Sequence, residues 1–216
     1  ETVVTAENWS GRMGVFSAVD GRVDNTLVKR YRRLNNDHLE QVDRGARDDD
    51  IIWLRARTNQ SNIDLAVAAR TRLFSAGGRL EPEARDSVEE GHIRREFDLE
   101  VREGESVRIE KVASICSSRD PAISESVQEA LGHVGHAPGF EELLGAHARR
   151  WKHLWDRCGI GIEPEDGRTE KILNLHIFHL LQTVSVHSID IDCGVPPRGL
   201  HGEAYRGLIT WDELFV

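Results

Sequence analysis

The chain has 216 residues, with 37 acidic against 28 basic side chains and a formal net charge of −9. That length suits one domain or two small ones. The acidic balance argues against a nucleic-acid partner, which needs a basic face for phosphates. No run of about 18 apolar residues exists, so no membrane-spanning helix is predicted and no membrane partner is expected. The basic groups at 29–33 and 149–152 read as local solvated faces. The three cysteines, Cys116, Cys158 and Cys193, are odd in number and widely spaced. They form neither a disulfide framework nor a zinc pattern, and a reducing cytoplasm is the expected setting. The chain starts at Glu1 and its only methionine is Met13. Both ends read as cut, so an internal piece of a longer protein is expected.

Residues 1–118 read as β. Around 13–19, Met13, Val15, Ser17 and Val19 alternate with Gly14, Phe16 and Ala18, so both faces are apolar or small. That predicts a strand buried on both sides. Asp20-Gly21 is a turn signal. Residues 51–58 and 63–74 are two further strands joined by 59–62, a loop of hairpin length, and Gly77-Gly78 ends the second. Residues 92–101 set Phe97, Leu99 and Val101 against Glu96, Asp98 and Glu100, a half-buried antiparallel strand. Residues 102–105 turn the chain. Val107 and Ile109 then share a face, but Val112 is out of phase with them. Either this strand is buried on both faces or a bulge near Lys111 shifts it by one. About six to eight strands with turn signals between them suggest a sandwich.

At 118–121 the period changes. Asp120 reads as an N-cap with Pro121 at the first helical position, predicting a helix over 121–136. A second helix is predicted over 140–157, with Leu143, Leu144, His147, Trp151, Leu154 and Trp155 on one stripe. Gly159 and Gly161 stop it. A third is predicted over 169–186, where Ile172, Leu173, Leu175, Ile177, Phe178, Leu180, Leu181 and Val184 nearly surround the axis. Such a helix is expected to be buried in a larger body. His176 and His179 are three apart on it, but no acidic or thiol partner stands at ligand spacing, so no metal site is expected.

Residues 196–216 open with two prolines and are punctuated by Gly199, Gly202 and Gly207, which predicts irregular backbone. The stretch carries Arg198, His201, Glu203, Tyr205, Arg206, Trp211, Asp212 and Glu213. Aromatic faces beside carboxylates suit a carbohydrate: the apolar side of a sugar ring packs on Trp, and its hydroxyls are taken by Asp or Arg. The alternative is a surface loop of solvated charge.

The run Arg198-Gly-Leu-His-Gly-Glu-Ala-Tyr-Arg-Gly207, followed by Trp211-Asp-Glu-Leu-Phe215, resembles the signature of glycoside hydrolase family 65. Asn8-Trp-Ser-Gly11, residues 17–25, Lys29-Arg-Tyr31, Lys111 and Ser118-Arg-Asp120 support it in the family's order, so the resemblance covers nearly the whole chain. It implies an α+β multidomain fragment. The C-terminal part of an antiparallel β-sandwich would lie at 1–118, a helical linker at 119–164, and the start of an (α/α)6 barrel at 165–216.

The resemblance further implies cleavage of an α-glucosidic disaccharide of the trehalose, maltose or kojibiose type with inversion. The usual route is phosphorolysis to β-glucose 1-phosphate. Inorganic phosphate is then the co-substrate, no cofactor is needed, and the parent protein is a candidate homodimer. No residue here matches the family's general acid, which is expected beyond Val216 together with the phosphate site. By resemblance Trp211 and Asp212 line the glucosyl subsite, while Arg198, Glu203 and Tyr205 shape the loop around it. Leu208 and Thr210 stand where the family often has His and Phe, and Val186 where it often has Pro. Hydrolysis of the acid-trehalase kind, a carbohydrate-binding module without catalysis, and a purely structural interaction domain stay open as alternatives.

Overall fold

The computed structural model describes residues 1–24, 33–122, 124–162, 167–185, 194–196, 199–200, 208–209 and 211. They fall into two compact units, Glu1–Phe140 and Glu141–Val216. In the first, the described residues form nine strands: β1 (Thr2–Thr5), β2 (Gly11–Asp20), β3 (Leu39–Arg47), β4 (Ile51–Thr58), β5 (Asp64–Ser75), β6 (Gly78–Leu80), β7 (Ala84–Glu89), β8 (His92–Val101) and β9 (Ser106–Ser117). One helix, α1 (Ser126–His136), completes this unit, and α2 (Phe140–Cys158) and α3 (Arg168–Leu181) follow.

Every pairing between the described strands is antiparallel. The larger sheet runs β1-β9-β5-β4-β3, with β6 on the end of β5, and the smaller runs β2-β8-β7. Strand alternation decides what lies between them. Ile52, Leu54 and Ala56 of β4 and Ala69 of β5 meet Val19 of β2 and Ile93 of β8. Further along, Leu73 and Val107 meet Phe97 and Val101, with Met13, Val15 and Leu99 against them. Polar bonds also run between the sheets: Thr71 Oγ1 donates to Ser17 Oγ at 2.7 Å within the buried interior, and Lys111 Nζ donates to Ala18 O at 2.8 Å. Side chains as deeply buried as Ile52, Leu73 and Ile93 each contribute about 1.5–3 kcal/mol. This is the sandwich that the alternating runs imply.

The opposite face of the larger sheet is covered by α1. Val127, Ala130, Leu131 and Val134 of the helix pack on Ile51, Ala66, Ala68 and Cys116. The two alanines of β5 keep that face low enough for a helix to approach. Arg70 lies on the same face, is 2% exposed, and donates to the carbonyls of Val134, Gly135 and Pro138. A cation against the last carbonyls of a helix satisfies acceptors that have no partner within it and opposes the negative end of the dipole. Burial pushes the Arg70 guanidinium below its ordinary value.

Three expectations are corrected in detail, and an alternative left open for β9 is decided. α1 begins at Ser126 with Glu125 as N-cap, not at Pro121. The reason is that Asp120 faces backwards: its carboxylate accepts from Ser117 N–H and Ser117 Oγ, each at 2.8 Å, and caps the end of β9. β9 carries no bulge, since its pairing with β5 runs unbroken from Leu65↔Ser117 to Phe74↔Arg108. Burial on both faces holds over part of the strand: Val107 packs toward the small sheet and Cys116 toward α1, with Val112 on the α1 side, while Ile115 on the small-sheet side is 72% exposed. β2 is covered on one face only. Phe16 is 57% exposed and its ring lies over Gly14, close enough that a Cβ there would meet it at 3.4 Å; Arg94 stands 5.2 Å from the ring centroid. α3 ends at Leu181, so Val184 lies outside it. Within the chain the helix has no fully buried residue.

The turns conform to their sequence. Glu105 N–H donates to Arg102 O at 3.0 Å, and Gly104 takes φ +82° at the position where a type II turn requires it. The 59–62 loop closes the β4–β5 hairpin with Thr58 N–H donating to Ile63 O at 3.0 Å.

Candidate functional site

The stretch 196–216 is described at Pro196, Gly199, Leu200, Leu208, Ile209 and Trp211. Gly199 N–H donates to Pro196 O at 3.0 Å, and Gly199 has φ +77°, a conformation that glycine adopts without strain. Leu208 and Ile209 lie in neither helix nor strand. Irregular backbone is thus present at Pro196, Gly199, Leu208 and Ile209, as the prolines and glycines dictate.

Trp211 is 73% exposed, and Leu208 and Ile209 beside it are 56% and 67% exposed. The indole is therefore largely open, and an open indole offers a large apolar face to the C–H side of a sugar ring. Asp212, Arg198, Glu203 and Tyr205 lie outside the described residues, as do Thr210, Val186, Cys193 and residues 29–32 of the basic run.

The helices that precede this stretch form an aromatic cluster. Trp151 of α2 stacks on Phe178 of α3 with ring centroids 5.0 Å apart, and Trp151 and Trp155 are 6.2 Å apart. The stripe predicted for α2 is realised as one side of half-buried residues, Leu143, Trp151, Leu154 and Trp155, with Leu144 and His147 exposed. Asn174 then clamps the connection between the helices. Its Oδ1 accepts from Ile160 N–H at 3.2 Å and its Nδ2 donates to Ile160 O at 3.1 Å. This residue carries no signal in the sequence, because an Asn on a helix reads as an ordinary polar position. Only the returning chain gives it a partner.

Among the described residues, no group of three or more His, Cys, Asp or Glu side chains is gathered as a metal ion needs. Cys116 is buried and Cys158 exposed, both as free thiols. Asp50, 9% exposed, is held by Arg72 at 2.7 Å and Arg79 at 3.3 Å. It borders a cleft of about 370 Å³ floored by Leu73, Leu80 and Phe97. Arg95 grips both oxygens of Asp86 at 2.7 and 2.8 Å. These carboxylates are committed to arginines, so they brace the sandwich and are not poised to move a proton.

Comparison with known proteins places both units. Residues 1–154 match the glycosyl hydrolase family 65 N-terminal domain, and residues 174–216 match the family's central catalytic domain. An uncharacterised glycosyl hydrolase of Mycobacterium tuberculosis is 43% identical over 100% of this chain and 16% of its own length. The trehalose 6-phosphate phosphorylase of Lactococcus lactis is 27% identical over 97% of this chain and 26% of its own. The kojibiose phosphorylase of Thermoanaerobacter brockii is 27% identical over 99% of this chain and 28% of its own. Among solved structures, one from the human microbiome, provisionally named a kojibiose phosphorylase, shares the fold with a TM-score of 0.75 at 17% identity. The match covers 94% of this chain and 25% of that one. The chain thus spans about a sixth to a quarter of the length of these relatives. Among the described residues, no helix is long and apolar enough to cross a membrane.

Proposed function

Because this chain belongs to glycosyl hydrolase family 65, we propose that it is the sandwich and the opening of the catalytic barrel of an inverting disaccharide phosphorylase. The observation that carries this reading is the match of both halves to one family, among relatives named phosphorylases. In this reading the sandwich occupies 1–118, a helical linker 119–164, and the start of an (α/α)6 barrel 165–216. The substrate is an α-linked glucose disaccharide of the trehalose, maltose or kojibiose type. Inorganic phosphate attacks the face opposite the leaving group while a general acid protonates the leaving oxygen, and inversion gives β-glucose 1-phosphate. The general acid and phosphate site are placed outside these 216 residues. No cofactor is invoked, the setting is cytoplasmic, and the parent is a homodimer.

This chain's part is to hold the glucosyl unit. Trp211 flanks the ring, and Asp212 accepts from its non-reducing-end hydroxyls. A charge-assisted bond of this kind contributes roughly 1.5–3 kcal/mol. Arg198, Glu203 and Tyr205 shape the loop that carries them. Leu208 and Thr210, in place of the family's frequent His and Phe, alter the floor of the pocket and with it the choice of disaccharide.

The test uses the full-length parent with kojibiose, trehalose and maltose, with and without phosphate. Phosphate-dependent appearance of β-glucose 1-phosphate is expected. Glucose release without phosphate would favour the hydrolytic alternative, and binding without turnover would favour a carbohydrate-binding module. Asp212→Asn should weaken donor binding by about tenfold to a hundredfold and leave the melting temperature unchanged. Normal kinetics with a large loss of melting temperature would make Asp212 a structural ion-pair residue.

A further inference from the structure

We propose that Ser114 is an activated nucleophile, a site of covalent capture for electrophilic acyl or phosphoryl donors, primed by His133 with Glu129 behind it. None of these residues takes part in the glycosidic reading, and the proposal does not rest on it.

The placement follows from two periodicities. β9 puts Ser114 and Cys116 on the face that meets α1, because alternate residues of a strand share a face. α1 puts Glu129 and His133 one turn apart on one side of the helix. The result is a short relay. His133 Nε2 lies 3.1 Å from Glu129 Oε1, and His133 Nδ1 lies 3.1 Å from Ser114 Oγ. An ionised carboxylate only accepts, so the proton of a neutral ring sits on Nε2. Nδ1 is then left with its lone pair toward the serine, and Ser114 O–H donates to it. Hydroxyl to imidazole to carboxylate is the order that general-base activation of a serine requires.

Two further observations favour Ser114 as the reacting atom. Cys116 Sγ is also near the ring, 3.6 Å from Nδ1, but the residue is 2% exposed, out of reach of a reagent. Burial pushes its thiol above the ordinary value, so it stays protonated and weakly nucleophilic. Ser114 is half-buried, and the His133 and Glu129 side chains beside it are 55% and 48% exposed. Nor is α1 dependent on the relay for its attachment, since the apolar cluster and Arg70 already hold it to the sheet.

The matching chemistry is a donor whose leaving group departs without a proton. With an alkyl fluorophosphonate, Ser114 Oγ forms a bond to phosphorus and the P–F bond breaks. Fluoride leaves with the electron pair, and the serine proton passes to His133 Nδ1 and on to water. Glu129 acts through His133 and is a positioning residue.

The experiment incubates the full 216-residue chain with an alkyl fluorophosphonate and locates the adduct by peptide fragmentation. One adduct, on Ser114, is expected, absent in Ser114→Ala and absent from the heat-unfolded chain. His133→Gln should lower the labelling rate at least about tenfold, since a positioned base contributes that much or more. Glu129→Gln should lower it by a smaller factor with an unchanged melting curve, a loss that a merely structural carboxylate would not give. Labelling of Cys116, Cys158, Ser117 or Ser118 in place of Ser114 would overturn the proposal. So would an unlabelled Ser114, or equal labelling of the folded and heat-unfolded chains, or an undiminished rate in His133→Gln. The unfolded control and the Glu129→Gln variant decide the matter even if Ser114→Ala fails to fold.

Discussion

The two units differ in what their apolar residues are given to pack against. In the first, the sheets close on one another and α1 covers the other face of the larger sheet, so side chains such as Ile52, Ala68, Ile93 and Val134 reach full burial. In the second, no hydrophobic side chain among the described residues is fully buried, although α2 and α3 are well-formed helices. Ile172, Leu175 and Leu180 of α3 remain 46%, 52% and 64% exposed. Periodicity makes helices, whereas a core needs surfaces brought in from distant parts of the sequence. Strand pairing supplies them in the first unit. An aromatic contact between two helices and one Asn clamp do not supply them in the second.

Cutting the same kind of side chain in each unit should separate the two most strongly. Ile52→Ala removes a buried side chain between the sheets and should cost about 2–5 kcal/mol. Leu175→Ala on α3 should stay within about 0.5 kcal/mol. Urea unfolding of both variants measures the pair, and equal losses would mean that α3 is as well packed as the sandwich. Next in size is Arg70→Ala, which orphans three carbonyls at the end of α1 and should cost roughly 2–4 kcal/mol. Amide exchange should quicken over 127–136 and remain slow in β4 and β5. Uniform quickening would mean that helix and sheets unfold as one.

Asn174→Ala removes two hydrogen bonds at an exposed position and should cost about 1 kcal/mol, confined to amides of the second unit. The smallest effect is electrostatic. Hydrogen bonds from Arg22, first from its side chain, lower Asp20 to about 2, below the ordinary value of about 3.9. A carboxylate with a depressed folded value contributes its stability above the unfolded value and loses it as pH falls through the folded one. The first unit should therefore weaken between about pH 4 and pH 2, with Asp64 and Asp98 acting in the same direction through Arg57 and Arg12. Because these pairs are largely exposed the change is slight, and salt should reduce it. Asp20→Asn should flatten part of the acid limb of a stability–pH curve.

Much of the sandwich was legible because its strands alternate. β4 and β8 occupy the predicted residues and β5 differs by one at each end. β3 was not legible. Leu39–Arg47 reads as charge and amide, and its ladder with β4 shifts register between Gln41 and Asp43. A polar edge strand declares itself only through its neighbour. Asp120 failed differently: Asp before Pro is a sound helix-start signal, but the same carboxylate serves a strand end equally well, and the local sequence does not choose. Composition pointed to a sugar in 196–216 without choosing it over a solvated loop, and the roles of Trp211 and Asp212 rested on resemblance, since no period or spacing singles them out. The Ser114–His133 contact joins a strand to a helix 19 positions on, and spacing alone could not have announced it.

The strand order has a consequence for how the chain is made. β1 is hydrogen-bonded to β9, Thr2 opposite Ile109, and β2 to β8, Gly11 opposite Val101. These two segments thus wait for partners that a ribosome delivers 72 to 107 residues later. At ordinary elongation rates the delay is roughly 5–20 s. Throughout it, Val3, Val4, Met13, Val15 and Phe16 belong to strands with open edges, the state in which a nascent sheet is most exposed to pairing with a neighbour on the same polysome. Slower translation of residues 21–91 would lengthen that exposure without altering a single native contact. Synonymous codon changes across that window should therefore shift soluble yield while leaving the purified protein's melting temperature where it was.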